Sequence, residues 1–257
     1  MASLTEIVTF LDAELRTSEI PDAEPALNGL QLGNDGNVSR VAVAVDFSLP
    51  VVRRAAAAKA DLLLVHHGML WRGRERIVGA AYERLKCAID GNLAVYASHI
   101  PLDVHPRLGN NALLARELQL ETDGGFGRYK GIEIGVTGAV DIPTATIIER
   151  MRQFSGQHGT HVVATDDDAT RRTKRFAIIT GSGADTGTIE EARERGVDTL
   201  IVGEGPHHSA VQAMEQGLVV VYGGHYATET LGVRALGALI GERFRVPWEF
   251  LAVPTGL

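Results

Sequence analysis

Short, wholly apolar runs that end in polar residues constrain the fold of this chain most strongly. The run at 62–65 is followed directly by His66 and His67, and a similar run at 41–45 lies one helical segment earlier. Four or five successive apolar residues are typical of strands buried on both faces of a parallel sheet. A strand, a helix and a second strand in this order predict a parallel pair with a right-handed crossover. The sequence therefore predicts an α/β fold.

The adjacent histidines lie where the predicted strand at 61–65 ends. Ligands of open α/β sheets usually bind beyond the carboxyl ends of the strands. Because neighbouring residues of an extended chain point to opposite faces, we expect His66 and His67 to reach two metal ions rather than chelate one. The other ligands must come from elsewhere in the chain.

An internal repeat supplies candidates for those ligands. Residues 93–103 and 219–229 each contain a strand-like run ending in tyrosine, two small residues and then His-x-x-x-acid. We also expect each to be preceded by a strand that ends in His-His, at 66–67 and at 207–208. The repeat predicts two related α/β halves, 1–125 and 126–257, whose strand ends surround a shared cleft.

Other local patterns predict the remaining elements. Ser3 and Glu6 have capping-box spacing at the start of an amphipathic helix, and residues 25–33 are expected to form a loop. Further helices are predicted at 49–59, 80–90, 110–120 and 188–195, after Pro143, up to residue 216 and after residue 229. Further strands are predicted at 93–97, 132–140, 160–164, 176–180, 199–202 and 218–222.

Composition narrows the function classes. A net charge of -7 argues against a nucleic-acid polymer as a partner, although it does not exclude a single nucleotide. The single cysteine, Cys87, excludes an intramolecular disulfide. No apolar run approaches the roughly 20 residues that span a bilayer, and the first residues lack the pattern of a signal peptide. We therefore expect a cytoplasmic protein with no membrane partner.

The chemistry of the candidate ligands indicates a transition-metal site. Imidazole and carboxylate together suit Zn, Fe, Mn, Co or Ni, whereas an all-oxygen site would indicate Mg or Ca. Two ions need a bridging carboxylate and further histidines, which His225 and Glu229 supply, and Asp103 supplies another oxygen. The alternative is that the histidines are structural and that no metal binds.

Together these residues resemble the GTP cyclohydrolase type 2 homologue family of NIF-three-like, dinuclear-metal proteins. The matching motifs are Val65-His66-His67-Gly68, His99 to Asp103, Gly223-Gly224-His225 to Glu229, Asn28-Gly29-Leu30-Gln31 and Gly203-Glu204 to His208. The resemblance implies two packed α/β lobes with mixed or parallel sheets and a dinuclear metal site in the cleft between them. It also implies a homohexamer, and the length of the chain predicts that the family's inserted middle domain is absent.

The resemblance implies a role for each ligand. His67 and Asp103 would hold one divalent ion, His66 and His225 the other, and Glu229 would bridge the two. His99 has the family's position but could equally lie behind the ligands and orient Asp103.

Two further residues are candidate catalytic groups. Glu204 and His208 could contact substrate or move a proton, or they could only stabilise the pocket wall. The turn at 181–183 could offer N–H groups to a phosphate, and an arginine-rich loop with Arg72, Arg74 and Arg76 could attract an anion, although a solvated face or a subunit contact is favoured.

The leading hypothesis is a metal-dependent hydrolase acting on a small molecule, possibly a nucleotide, by ring opening of the GTP type or by phosphoester hydrolysis. The alternative is a non-catalytic, ring-forming scaffold that binds metal or a partner.

Overall fold

The computed structural model describes residues 2–71, 73 and 76–257. The chain divides into two compact units, Met1–Leu102 with Gly232–Val253, and Asp103–Leu231 with Pro254–Leu257. The C-terminal helix therefore contributes to the first unit, so these compact units differ from the predicted halves that divide at residue 125. That the halves are related by duplication stays a prediction.

The elements alternate between strands and helices along the chain. The strands are β1 Ala2–Ser3, β2 Gly29–Leu32, β3 Asn37–Val38, β4 Val41–Asp46, β5 Leu62–His67, β6 Ala94–Ala97, β7 Gly124–Tyr129, β8 Ile132–Pro143, β9 Val163–Ala164, β10 Arg172–Ile179, β11 Thr199–Val202, β12 Val219–Tyr222 and β13 Trp248–Phe250. The helices are α1 Leu4–Glu14, α2 Leu49–Ala57, α3 Ala80–Asp90, α4 Ile100–Asp103, α5 Asn110–Glu117, α6 Thr144–Gln157, α7 Thr186–Glu194, α8 His207–Glu215, α9 His225–Thr228 and α10 Thr230–Phe244, with a 3-10 turn at Glu24–Ala26.

The first unit is built on a five-stranded sheet in the order β13-β4-β5-β6-β2. Its strands are parallel except β2, which pairs antiparallel with β6 at one edge. Every residue of β5 is buried, because helices cover parallel sheets on both faces. The register pairs Asp46 with His67, so two polar side chains lie together at the carboxyl end of β4 and β5.

The second unit is built on a six-stranded sheet in the order β7-β8-β10-β11-β12-β9. Strands β10, β11 and β12 are parallel, and the outer strands pair antiparallel. Alternate residues of β10 enter different cores: Phe176 and Ile178 pack with side chains of α5 and α6, and Ala177 and Ile179 pack with those of α7 and α8. The predicted mixed α/β fold is confirmed.

Several local predictions were wrong. Helix α1 begins at Leu4 as expected, but the Ser3 side chain makes no capping hydrogen bond. The Leu4 N–H instead donates to the Gly36 carbonyl oxygen at 2.9 Å, because β1 pairs with β3. Part of the expected loop at 25–33 is strand β2. Strand β7 and the short helix α9 were not predicted.

The second predicted His-His strand end was also wrong. Strand β11 ends at Val202, and His207 and His208 instead begin helix α8, where both are exposed. Pro206 is the N-cap residue directly before this helix, where its missing N–H removes no hydrogen bond of the helix. Of the predicted arginine loop, Arg72 and Arg74 lie outside the described residues.

Within the described ranges, no helix has both the length and the apolar composition needed to cross a membrane.

Candidate functional site

Three histidines cluster in the first unit, where β5 and β6 end. The His66 ring centroid lies 4.9 Å from those of His67 and His99, and the His67 and His99 centroids are 5.7 Å apart. One nitrogen from each ring lies within 4.8 Å of the other two. Nitrogens on a tetrahedral ion are about 3.3 Å apart, given metal–nitrogen distances of about 2.0–2.1 Å. Small side-chain rotations would therefore bring all three onto one ion.

This arrangement differs from the expectation that the adjacent histidines point apart. The last residues that pair between β5 and β6 are Val65 and Ala97. His66 and His67 lie beyond that pair but remain within β5, where His67 still pairs with Asp46 of β4. Their ring centroids are nevertheless only 4.9 Å apart.

Each ring is held through its Nδ1 atom by an oxygen. His66 Nδ1 lies 2.9 Å from the Ser98 carbonyl oxygen, and His67 Nδ1 lies 2.9 Å from Asp46 Oδ1. Carbonyl and ionised carboxylate oxygens only accept hydrogen bonds, so the Nδ1 atoms donate. Metal-binding histidines are usually oriented by such outer partners, and a neutral ring held in this way carries its lone pair on Nε2.

His99 is held in the same way by the buried carboxyl of Asp22. His99 Nδ1 lies 2.8 Å from Asp22 Oδ1, and Asn28 Nδ2 donates to Asp22 Oδ2 at 2.8 Å. Burial by itself raises the pKa of the Asp22 carboxyl, but the hydrogen bonds from His99 and Asn28 outweigh it and lower that pKa. Asp22 therefore remains an ionised acceptor at neutral pH.

The indole of Trp71 covers two of these rings. Its centroid lies 4.7 Å from that of His67 and 4.6 Å from that of His99, the latter in an edge-to-face arrangement. Aromatic rings in such contact shield their neighbours from water, and removal of water strengthens electrostatic interactions. The cluster combines oriented imidazoles with an apolar cover.

In the second unit, His225 lies between two carboxylates. Its Nδ1 lies 2.9 Å from Glu204 Oε1, and its Nε2 lies 3.1 Å from Glu229 Oε2. Burial by itself would lower the pKa of His225, but the hydrogen bonds and charges of Glu229 and Glu204 outweigh it and raise the pKa to about 9. At neutral pH the ring is a cation between two anions, in a place where a metal ion can replace its Nε2 proton.

The turn at 181–183 lies directly against this pair. Gly181 has φ +65°, and a Cβ there would overlap Glu229 Oε1 and lie 3.4 Å from His225 Nε2. Glycine suits both the left-handed conformation and the close approach. The next residue, Ser182, donates its hydroxyl to Glu204 Oε1 at 3.0 Å. The turn therefore makes room for one carboxylate and holds the other.

Asp103 is held by two buried asparagines at the start of α5. Asn110 Nδ2 donates to Asp103 Oδ1 at 2.8 Å, and Asn111 Nδ2 donates to the Asp103 carbonyl oxygen at 3.2 Å. Asn111 Oδ1 also accepts the N–H of Thr180 at 2.9 Å. Asp103 is thereby connected through Asn111 to the residue that precedes Gly181.

The predicted site residues fall into distinct surroundings. The predicted metal ligands that lie in these two clusters are His66, His67, His225 and Glu229. His99, considered as a residue that orients Asp103, forms its hydrogen bond with Asp22. His208 is exposed at the start of α8, outside every metal-competent group of the described residues.

Sequence reasoning missed three residues that complete the clusters. Asp46 carried a signal, because it ends a predicted strand parallel to the one that carries His67. Trp71 follows the histidine pair closely, but nothing in its spacing indicated a contact. Asp22 carried no signal, since it lies 77 residues before His99.

Known proteins resemble this chain over nearly its whole length. A family model described as Duf34/NIF3 (NGG1p interacting factor 3) matches residues 2–255. A relative from Deinococcus radiodurans, named "GTP cyclohydrolase 1 type 2 homolog", is 41% identical over 254 residues, which cover 98% of this chain and 94% of the relative.

Solved structures share the fold. The structure described as "protein ybgI, unknown function" superposes with a TM-score of 0.89 at 30% identity, and the match covers 100% of both chains. The structure of TTHA1606 from Thermus thermophilus superposes with a TM-score of 0.83 at 35% identity, again over 100% of both chains.

Proposed function

Because the chain belongs to the Duf34/NIF3 family, we propose that it is a divalent-metal-dependent hydrolase. The observation that carries the proposal is the cluster of His66, His67 and His99, whose Nδ1 atoms all face oxygen acceptors. Metal-binding histidines almost always donate their other ring N–H to a carboxylate, a backbone carbonyl or water, which is the arrangement of these three rings. The donor chemistry fits Zn, Fe, Mn, Co or Ni.

We propose that two such divalent ions bind to this chain. The proposed set is His66, His67, Asp103, His225 and Glu229, with Glu229 as the bridging carboxylate. The support in the second unit is the pair of carboxylates around His225 and the room that Gly181 leaves beside Glu229. Two bound divalent ions would lower the pKa of a water molecule and so supply a hydroxide nucleophile.

The remaining residues prepare this site. Asp46 and Asp22 fix the tautomers of His67 and His99, and Trp71 shields the rings from water. Glu204, predicted as a proton carrier, accepts a hydrogen bond from His225, and His208 is exposed. The proposal therefore depends on the metal ligands and not on either predicted catalytic group.

We propose a small-molecule substrate and favour a nucleotide, because relatives are named GTP cyclohydrolase 1 type 2 homologs. Hydrolytic opening of the imidazole ring of GTP is a carbon-centred reaction, whereas phosphoester hydrolysis would use the same ligand set at phosphorus. The test is turnover of GTP and of p-nitrophenyl phosphoesters by metal-loaded protein. Activity towards either that is lost in His67→Ala and kept in the exposed control His161→Ala supports the proposal.

If metal binds and neither substrate turns over, the scaffold alternative gains support. A partner that still binds the His67→Ala variant would be further evidence for the scaffold.

We also propose that the chain assembles into a homohexamer. Large apolar side chains of the first unit are exposed at Leu27, Ile77, Val78, Tyr82 and Ile89. Grouped apolar exposure marks interaction surfaces. Light scattering should then give a mass near six times 27.5 kDa.

A further inference from the structure

We propose that Gln31 is a positioning residue for Trp71 and that it acts through the turn at 68–71, which carries the indole over His67 and His99. This inference rests on the proposed function, in which the indole shields these rings from water. It also gives a role to the motif at 28–31, which the proposed function leaves without one.

The first support is the place of Gln31 in the edge strand β2. The pairing of β2 with β6 shifts its register between Leu30 and Leu32, so Gln31 is the extra residue of a β-bulge. Bulges are frequent at sheet edges and beside active sites, where they re-aim a side chain. Because the bulge interrupts the alternation of the strand, the Gln31 side chain can face a segment outside the sheet.

The second support is that both polar atoms of the Gln31 amide are engaged by the backbone of other segments. Its Oε1 accepts the N–H of Met69 at 2.7 Å. Its Nε2 donates to the carbonyl oxygens of Ala26 at 3.2 Å and Leu27 at 2.8 Å. An amide with its oxygen and its nitrogen both engaged has one favoured orientation. Gln31 therefore joins the turn after the histidine pair to the 3-10 turn that precedes β2.

The third support is the space that Gly68 leaves for this amide. A Cβ on Gly68 would overlap both polar atoms of the Gln31 amide and would lie 2.7 Å from the Ala97 Cβ. Gly68 does not have a positive φ, so glycine is needed here for the close approach and not for a left-handed conformation. The contact is thus built from both sides, by a bulge in β2 and by a missing side chain in the turn.

The residues that contact Gln31 begin the turn that ends at Trp71. The Trp71 N–H donates to the Gly68 carbonyl oxygen at 3.4 Å, and the Met69 side chain packs against the core of the first unit. The centroid of the indole then lies 4.7 Å from that of His67 and 4.6 Å from that of His99. Because the turn is short, fixing its first two residues limits the positions open to the indole.

The test is the rate at which diethyl pyrocarbonate modifies each histidine of the full chain, measured by peptide mass spectrometry. The protein is first freed of metal with a chelator, so that no ion protects the rings. The variant is Gln31→Met, which nearly keeps the side-chain volume and removes the hydrogen bonds of the amide. We expect His67 and His99 to react faster in this variant than in the wild type, because the reagent attacks imidazoles that solvent reaches. The exposed His161 should react at the same rate in both proteins.

Two comparisons separate a local role from a loss of stability. Gln157→Met changes an exposed glutamine at the end of α6, and every histidine of this matched control should react as in the wild type. Histidine 225 of the second unit reports general unfolding. An increase at His225 equal to that at His67 and His99 in Gln31→Met would contradict a positioning role.

Unchanged rates at His67 and His99 in Gln31→Met would overturn this inference and leave the proposed function intact. A metal-loaded wild type without turnover would instead count against the proposed function, and it would not alter these rates. In case Gln31→Met does not fold, hydrogen exchange of the wild type gives a second measurement. The Met69 N–H should exchange slowly because Gln31 accepts it, and exchange at the rate of an unprotected amide would overturn the inference.

Discussion

The two His-x-x-x-acid segments of this chain share their spacing and differ in what they contact. Both follow a parallel strand and pass through a one-turn helix, α4 in the earlier segment and α9 in the later one. In the later segment, His225 Nε2 lies 3.1 Å from Glu229 Oε2. In the earlier segment, His99 is held by Asp22, and Asp103 accepts from Asn110. The shared spacing gives the two segments a similar backbone conformation, while residues elsewhere in the chain determine the hydrogen-bond partners of their side chains.

The difference shows how one sequence pattern can give two different surroundings for a histidine side chain. The ring of His99 is oriented by a carboxylate behind it, so its second nitrogen faces the other histidines. The ring of His225 lies between two carboxylates, so its charge compensates theirs. The first arrangement brings three imidazole rings together, and the second places one imidazole ring between two carboxylates.

The largest expected loss of stability comes from filling the space that Gly181 leaves beside Glu229. Gly181→Ala should destabilise the protein by about 2–5 kcal/mol, because a left-handed non-glycine residue costs roughly 1–2 kcal/mol and overpacking costs roughly 1–3 kcal/mol. Urea denaturation measures the change. Gly131→Ala is the matched control: it has φ +87° but no neighbour within 4 Å of the added Cβ, so it should show the backbone part alone. Equal losses in both variants would contradict the steric role of Gly181.

Much of the fold was predictable from local patterns. The apolar runs predicted β4, β5 and β11 nearly to the residue, because strands buried on both faces leave little ambiguity in sequence. Strand β2 was missed, since Leu30 and Gln31 lie at a sheet edge among turn-forming residues and only pairing with β6 makes them a strand. Edge strands depend on tertiary contacts more than on their own composition.

The candidate site was predictable where one segment carried both chemistry and geometry. The pair His66-His67 and the spacing of His225 and Glu229 were recognisable because the residues of each lie close together in the sequence. Asp22 did not, because its contact with His99 exists only after β2 pairs with β6. The misplacement of His207 and His208 has the opposite origin: their resemblance to the first pair suggested a strand end, whereas Pro206 starts a helix there.

A second prediction contrasts carboxylates that face histidines with one that faces arginine. Glu191 is buried, and it accepts from Arg195 Nη1 at 2.9 Å and from the N–H of Arg128 at 2.8 Å. Burial by itself raises the pKa of Glu191, but the Arg128 N–H and Arg195 outweigh it and lower that pKa. Glu191→Gln should therefore cost about 1.5–3 kcal/mol at pH 7, the value of hydrogen bonds to a charged group.

The pH dependence of that cost has a definite sign. The lowered pKa means that the folded chain binds fewer protons at Glu191 than the unfolded chain does. The stability it contributes is present above pH 4.5, the ordinary value, and is lost as the pH falls through the lowered pKa. The midpoint temperatures of thermal unfolding of the wild type and Glu191→Gln should therefore converge in acid. The midpoint of the exposed neighbour variant Glu190→Gln should stay near that of the wild type at every pH. A gap that is constant from pH 7 to pH 3 would contradict this account.

A third prediction compares the outer carboxylates of the two clusters. Asp46→Asn and Glu204→Gln should each reduce metal affinity by about 10–100-fold without changing the number of ions bound, because both hold the Nδ1 atom of a proposed ligand. Isothermal titration with Zn²⁺ measures both. A change in the number of bound ions for either variant would show that its carboxylate binds metal directly. The control in the first unit is Asp61→Asn, because Asp61 lies next to the start of β5, at the opposite end of that strand from His67.

The smallest effects concern the tyrosines that precede the two segments. Tyr96 is fully buried, and its hydroxyl donates to Asp12 at 2.9 Å, whereas the half-buried Tyr222 lies 2.9 Å from the hydroxyl of Ser209. Tyr96→Phe should cost about 1–1.5 kcal/mol and Tyr222→Phe about 0.5 kcal/mol, the upper and lower values for a net hydrogen bond. Water can replace the lost partner at Tyr222 more easily than at Tyr96, so the order should hold in urea denaturation at pH 7. If the two losses were equal, the repeated tyrosines would be equivalent in packing, and the difference between the segments would begin only at their histidines.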